Sequence, residues 1–312
     1  MSLPTAETMR SGLGTLESGR ALLRELIDYA GLFPPASLSM ASSVANFNAY
    51  LNSHWNWTLG RFIVPVARLD EFERALKTLP KSREATPTWR LSVLPGSDVV
   101  EDVARIRDFN TRMAGRDSER RAMIEAVEVK VNNPGEIARL SRIVPAELET
   151  YFEFPLSSAG ECISAVSGVG RRAKIRTGGE TPEKFPTSAD VVEFIRLCAA
   201  ANVPFKATAG LHHPLRSIHP LTYEDNSPSG MMHGFLNVFL AAAFLRAGME
   251  PALAISLLES CGPWEFSSDG IQWQKNRLGA EEIAAARKDF AISFGSCSFT
   301  EPIDDLQSLG LL

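Results

Sequence analysis

The sequence predicts an α/β chain folded as a (βα)8 TIM barrel with a long insertion between strands seven and eight, on three observations. Short apolar, β-branched or aromatic runs alternate with stretches of helical periodicity, as in a parallel sheet built from βα units. The chain has 312 residues, a length that a single α/β barrel fills. At 45% hydrophobic and 22% charged residues it can bury a sizeable core, which excludes a disordered chain.

The eight strand candidates, in order, are "ELIDYAGLF" (25–33), "RFIVPVA" (61–67), "RLSVLPG" (90–96), "AVEVKV" (126–131), "TYFEFP" (150–155), "RAKIRTGG" (172–179), "PFKATAG" (204–210) and "FAISFGS" (290–296). Helical patterns fall between them at 38–53, 68–79, 98–113, 134–143 and 188–201. The last is opened by "TSAD", where Thr187 or Ser188 can cap and Asp190 sits in the first turn. The interval between strands five and six leaves room for one or two helical turns.

Strands seven and eight are separated by residues 211–289, far more than an ordinary loop, so a lid-like subdomain is expected there within a single 1–312 domain. It holds turn formers, apolar helices near 231–247 and 250–260, and "WEFSSDGIQW", a β-hairpin with Asp-Gly at its turn. The segment "FLNVFLAAAFL" (235–245) is too short to span a bilayer, so no membrane association is expected.

Net charge is −5 and no basic face recurs along the chain, which argues against nucleic acid. Cys162, Cys198, Cys261 and Cys297 are scattered without CxxC spacing and read as free thiols of a reducing compartment. The N-terminal stretch lacks the apolar run of a signal peptide, so a cytoplasmic location is expected.

Residues two apart on a strand share a face, so parity selects what points into a barrel together. Glu128 with Lys130, Glu153, Lys174 with Arg176, and Lys206 with Thr208 all fall inside strands that should be central and dry. An unpaired buried charge costs several kcal/mol, so such a set persists where charges neutralise one another or chemistry uses them. Each run ends in Gly, Pro or Asn just past its charges, at the strand ends where barrel active sites lie.

Two lysines on neighbouring strands, with Arg176 beside them, point to an amine that attacks aldehydes and ketones, because desolvation and nearby cations disfavour the ammonium. Asp28, Glu128 and Glu153 would then move protons or hold one lysine charged. At this level the two lysines can exchange roles. The chemistry implies a small-molecule carbonyl substrate and calls for no cofactor and no metal.

Taken together, "KIRTGG" and "FKATAGL" resemble the two lysine strands of deoxyribose-phosphate aldolases. "LIDYAGLFPPAS", "VEVKVN" and "FGSCS" resemble that family's first, fourth and eighth strands, in the same order. The resemblance covers the barrel but not 211–289. It implies that Lys174 is the Schiff-base nucleophile, Lys206 the neighbouring cation and Glu128 the proton-handling carboxylate. It also implies that backbone around Gly210, Gly295 and Ser296 forms a nest for an anion.

The chain departs from the family at Glu128, where aspartate stands, at Tyr29 and Ala30, which replace a His-Thr pair, and at Arg176, which replaces a small hydroxyl residue. Arg176 offers a bidentate clamp for carboxylate or phosphate, implying a substrate other than deoxyribose phosphate.

A rival reading rests on His212, His213, His219 and His233, all within 211–289: a metal-dependent or non-catalytic barrel binding a phosphorylated metabolite. "HHPLRSIH" is neither HxH nor HExxH. His212, immediately after strand seven, is an acid/base candidate in either case. The tail "EPIDDLQSLGLL" reads two ways, as a helix closing its own barrel or as a homo-oligomer contact.

Overall fold

The computed structural model describes residues 14, 16–80, 87–114, 121–262 and 264–312. In chain order the larger elements begin with α1 (Glu17–Leu23), β1 (Ile27–Tyr29), α2 (Met40–Leu51), β2 (Leu59–Pro65), α3 (Leu69–Thr78), β3 (Trp89–Leu94), α4 (Val99–Ala114) and β4 (Ala122–Lys130). They continue with α5 (Pro134–Ile143), β5 (Glu149–Glu153), α6 (Ala159–Gly168), β6 (Arg172–Arg176), α7 (Ser188–Ala200), β7 (Phe205–Thr208), β8 (Ser217–Pro220) and β9 (Ser229–Met232). The chain ends with α8 (Phe235–Arg246), α9 (Pro251–Leu258), β10 (Glu265–Phe266), β11 (Gly270–Trp273), β12 (Asn276–Gly279), α10 (Ala280–Asp289), β13 (Ala291–Ser296) and α11 (Thr300–Ser308).

Strands β1 to β7 pair in parallel in sequence order, and β13 closes the barrel between β7 and β1. The predicted (βα)8 barrel is therefore the observed fold, with β13 as its eighth strand.

Two physical tendencies build it. On each strand one parity is apolar and faces the helices: Phe62 and Val64, Leu91 and Val93, Ala173 and Ile175, Phe205 and Ala207 are all buried. Around Phe47, Phe62, Phe72 and Trp89 the rings lie 4.8–6.1 Å apart, a packed aromatic cluster between barrel and helices. Helix starts follow local chemistry as well. Asn133 accepts from Glu136 N ahead of Pro134, and Thr187 and Asp190 form the reciprocal cap anticipated for α7.

Several elements differ from the sequence reading. The first strand shrinks to Ile27–Tyr29, because Gly31, Pro34 and Pro35 turn the chain at its end. The fourth starts earlier, at Ala122. Between strands five and six the short helix is instead ten residues long. Its Gly and Ser content hides an apolar stripe of Ala159, Cys162, Ile163 and Val166 at helical spacing.

Residues 211–289 distribute over both ends of the barrel. Strands β8 and β9 form an antiparallel ribbon beside the mouth, absent from the sequence reading because "SIHP" and "SGMM" carry no clean alternation. Helix α8, buried along its length except at Arg246, packs against α7, α9, α10 and β13 as a helix of the barrel wall. The expected Asp-Gly hairpin is β10–β11, extended by β12, and this sheet packs on α10 and α1, which precedes β1. At the mouth the segment contributes Leu221 and Met232, beside and within the ribbon, to the wall of a cavity. No helix among the described residues is long and apolar enough to cross a membrane.

Candidate active site at the barrel mouth

The inward parity of the strands is charged in layers. Cross-barrel contacts establish the direction: Arg61 on β2 pairs with Glu149 on β5 at 3.1 Å, and Lys206 on β7 reaches Glu128 on β4 and Asp28 on β1 at 2.6 Å each. The lowest layer holds Arg61, Arg90, Glu149 and Arg172 in mutual ion pairs through Glu125 and Glu149. Above it lie Asp28, Lys206, Glu128 and Lys174, and above these Glu153 and Arg176 on β5 and β6.

Lys206 is fully buried. Desolvation opposes its charge, but the carboxylates of Asp28 and Glu128 outweigh it and raise the lysine above its ordinary range. Asp28 is itself held on three sides, by Lys206, by Ser293 Oγ at 2.7 Å and by the Arg61 amide at 2.7 Å. Tyr151 adds its ring face 5.5 Å from the ammonium. Lys206 is a locked cation.

Lys174 is its neighbour in register on β6. Its Nζ lies 2.9 Å from Glu128 Oε2 and 2.8 Å from Glu153 Oε2. These are ion pairs, and Glu153 Oε2, although buried, lacks a hydrogen bond of good geometry. Carboxylates therefore stand between the cations. Lys206, Glu128, Lys174, Glu153 and Arg176 alternate in sign from the middle of the barrel to its rim, with Arg176 Nε donating to Glu153 Oε1 at 3.0 Å.

Glu128 is the hinge of this chain, accepting from Lys206 and from Ser92 Oγ at 2.6 Å. Burial pushes its carboxyl up, but Lys174 and Lys206 more than offset this and hold it well below the usual carboxylate range. Glu153 is lowered in the same way, with burial opposed by Lys174 and Arg176.

A cavity of about 310 Å³ opens above these groups at the C-terminal ends of the strands. Lys174, Glu128, Arg176, Thr208, Gly210, His212 and Gly295, each a sequence candidate, line it. Glu153 backs Lys174 and Arg176, Lys206 is sealed from the cavity by its burial, and Asp28 lines the cavity at the opposite end of the barrel instead. Ser296 lies outside the cavity wall; its carbonyl accepts from Ala30 N at 2.6 Å. Tyr29 turns outward to stack with Phe47 and to meet Tyr50 edge-on and Phe62 at a tilt.

Lys130, paired with Glu128 by strand parity, lies at the rim; sequence reasoning passed over Lys184 there, Pro34 and Pro35 on the wall, and Leu221 and Met232 of the ribbon. It also missed Glu301 on α11, whose Oε2 lies 2.9 Å from His212 Nδ1. No local signal connects residues so far apart in sequence.

Of the four histidines of 211–289, His212, His213 and His219 lie in a row with ring centroids 6.4 and 3.3 Å apart, and His233 pairs elsewhere. His213 meets Asp305 at 2.5 Å and stacks on His219, His219 contacts Ser217 Oγ at 2.7 Å, and His233 Nε2 donates to the Pro186 carbonyl at 2.8 Å. Among the described residues, no three His, Cys, Asp or Glu side chains are placed to share a metal ion.

A larger cavity, about 430 Å³, lies at the opposite end of the barrel. Its Arg61, Arg90 and Arg172 are paired with carboxylates, and Arg287 donates to the carbonyls of Leu22, Arg24, Ala291 and Ile292. That end is a structural ion network, consistent with the stabilising role of the N-terminal face in barrels. The chemistry points to the smaller cavity. No protein-family model and no curated protein matches the chain.

Proposed function

We propose that the protein is an aldolase-type lyase, independent of metal, acting on a small phosphorylated or carboxylated carbonyl compound through a Schiff base on Lys174. The supporting observation is the contrast between the two lysines. Lys206 is sealed below the cavity by two short hydrogen bonds, whereas Lys174 lies in the cavity wall held by ion pairs alone.

To react, Lys174 releases a proton, which is returned to the hydroxyl of the adduct that departs as water. Its free amine adds to the carbonyl carbon, and loss of water leaves an iminium ion. The iminium replaces one cation with another, so the charge alternation is preserved. As an electron sink it performs the task a Lewis-acid metal performs elsewhere. Lys206 keeps Glu128 ionised beside it. Arg176, half in solvent at the rim, suits a carboxylate or phosphate on the substrate.

The test is borohydride reduction in the presence of short aldehydes, ketones and 2-oxo acids, followed by peptide mass spectrometry. A reduced adduct on Lys174, insensitive to chelator and absent in Lys174→Ala, supports the reading. Labelling confined to surface lysines at background level refutes it and turns attention to a binding or histidine-centred role.

A further inference from the structure

A Schiff base is useful only if a base removes the proton next to it. The three carboxylates around the lysines are poorly suited. Glu128 is held well below the usual range and Glu153 is lowered by the cations they touch, and Asp28 is enclosed by Lys206, Ser293 and the Arg61 amide. Cys297 also lines the cavity, but burial raises its thiol and keeps it protonated. Glu180, Lys130 and Lys184 are exposed at the rim.

His212 differs from all of these. It is buried, lines the cavity, and has one ring nitrogen committed: Nδ1 faces the Glu301 carboxylate at 2.9 Å. Burial opposes the charge of Glu301, but the contact with His212 outweighs it and keeps the carboxyl ionised, so it accepts and the proton sits on Nδ1. The described residues give Nε2 no hydrogen-bond partner.

The fold holds this imidazole in place. Ala209 and Gly210 both adopt left-handed backbone, with φ of 63° and 72°, and turn the chain sharply after β7. Thr177 Oγ1 donates to the Ala209 carbonyl at 2.6 Å, and Gly210 packs so closely on Gly178 that a Cβ would stand 2.8 Å from its Cα. On the other side Tyr223 donates to Glu301 Oε2 at 3.2 Å. Glu301 on α11 and the adjacent His213 ring, 6.4 Å away between centroids, flank His212, and Tyr223 of the ribbon loop joins Glu301 to Cys297 after β13.

We infer that His212, positioned by Glu301, is the catalytic base that converts the Lys174 iminium into its enamine, and in reverse the acid that reprotonates it. The step rests on the Schiff-base reading. Nε2 takes the proton from the carbon next to the iminium carbon, the C–H electron pair becomes the carbon–carbon double bond, and the C=N π pair returns to nitrogen. The proton resides on the imidazole until it is returned or exchanged with solvent. Glu301 is a positioning residue.

The experiment separates the two stages. In D₂O, wild-type protein is mixed with pyruvate or acetaldehyde. Exchange of the α-protons is followed by proton NMR, and parallel samples are reduced with borohydride. The expected result for His212→Gln is an undiminished adduct on Lys174 with exchange slowed on the order of 10²–10⁴-fold.

In His212→Ala, added imidazole restores exchange. Glu301→Gln loses exchange with trapping intact, and Glu301→Asp recovers part of it. Trapping with wild-type exchange in His212→Gln overturns the role of His212 alone. Absence of any adduct in the wild type removes the Schiff-base reading and this step with it.

Discussion

Replacing Lys206 by Met removes a buried cation and leaves Asp28 and Glu128, both buried, facing the space it filled. Breaking one side of a buried ion pair costs about 3–5 kcal/mol, because the surviving charge is left without compensation. Two short bonds are lost here, so the upper part of that range applies at neutral pH.

The pH dependence has a definite sign. Lys206 is raised above its unfolded value, so its contribution is fully present below about pH 10.4 and is lost as pH climbs through the folded value. Glu128 is depressed, so its contribution is present above about pH 4.3 and is lost as pH falls through its folded value. The gap between wild type and Lys206→Met is therefore widest between those limits and narrows at both ends.

Urea unfolding at a series of pH values measures this. Adding Asp28→Asn to the variant recovers part of the loss by removing one of two facing carboxylates, and the double-mutant cycle isolates that coupling. A Lys206→Met protein within about 1 kcal/mol of wild type at pH 7 would refute the inward, doubly paired lysine, since that is the scale of an exposed pair.

Other outcomes follow from the same geometry. Ser92→Ala removes a hydroxyl that donates to Glu128 at 2.6 Å, and costs about 1.5–3 kcal/mol in urea unfolding. Arg176→Lys loses the planar fork; steady-state kinetics show KM for carboxylated carbonyls rising about tenfold, with uncharged aldehydes little affected. Gly210→Ala forces a Cβ against Gly178 in left-handed backbone, lowering stability by about 1–2 kcal/mol and slowing α-proton exchange by misplacing His212.

Strand parity made the barrel and its charged interior legible, because a period of two is written directly into the order of residues. Lys174, Lys206, Glu128 and Glu153 stand out for this reason. Their pairing was less accessible. That Glu128 lies between the lysines and separates the cations depends on side chains crossing from β4 to β7, which no spacing along one strand reveals. The ribbon β8–β9 lacks alternation, and α6 hides its stripe among small residues. Glu301 becomes relevant only because α11 returns over the mouth after β13 closes the barrel.

The alternating interior also shapes how this chain can change over generations. Most barrels are filled with aliphatic layers, where one side chain can shrink while its neighbour grows, and each inherited step is small. Here Asp28, Lys206, Glu128, Lys174, Glu153 and Arg176 are each coupled to the next by sign. A solitary replacement strands a charge, so a change at any one of these six positions is best tolerated when its partner changes with it.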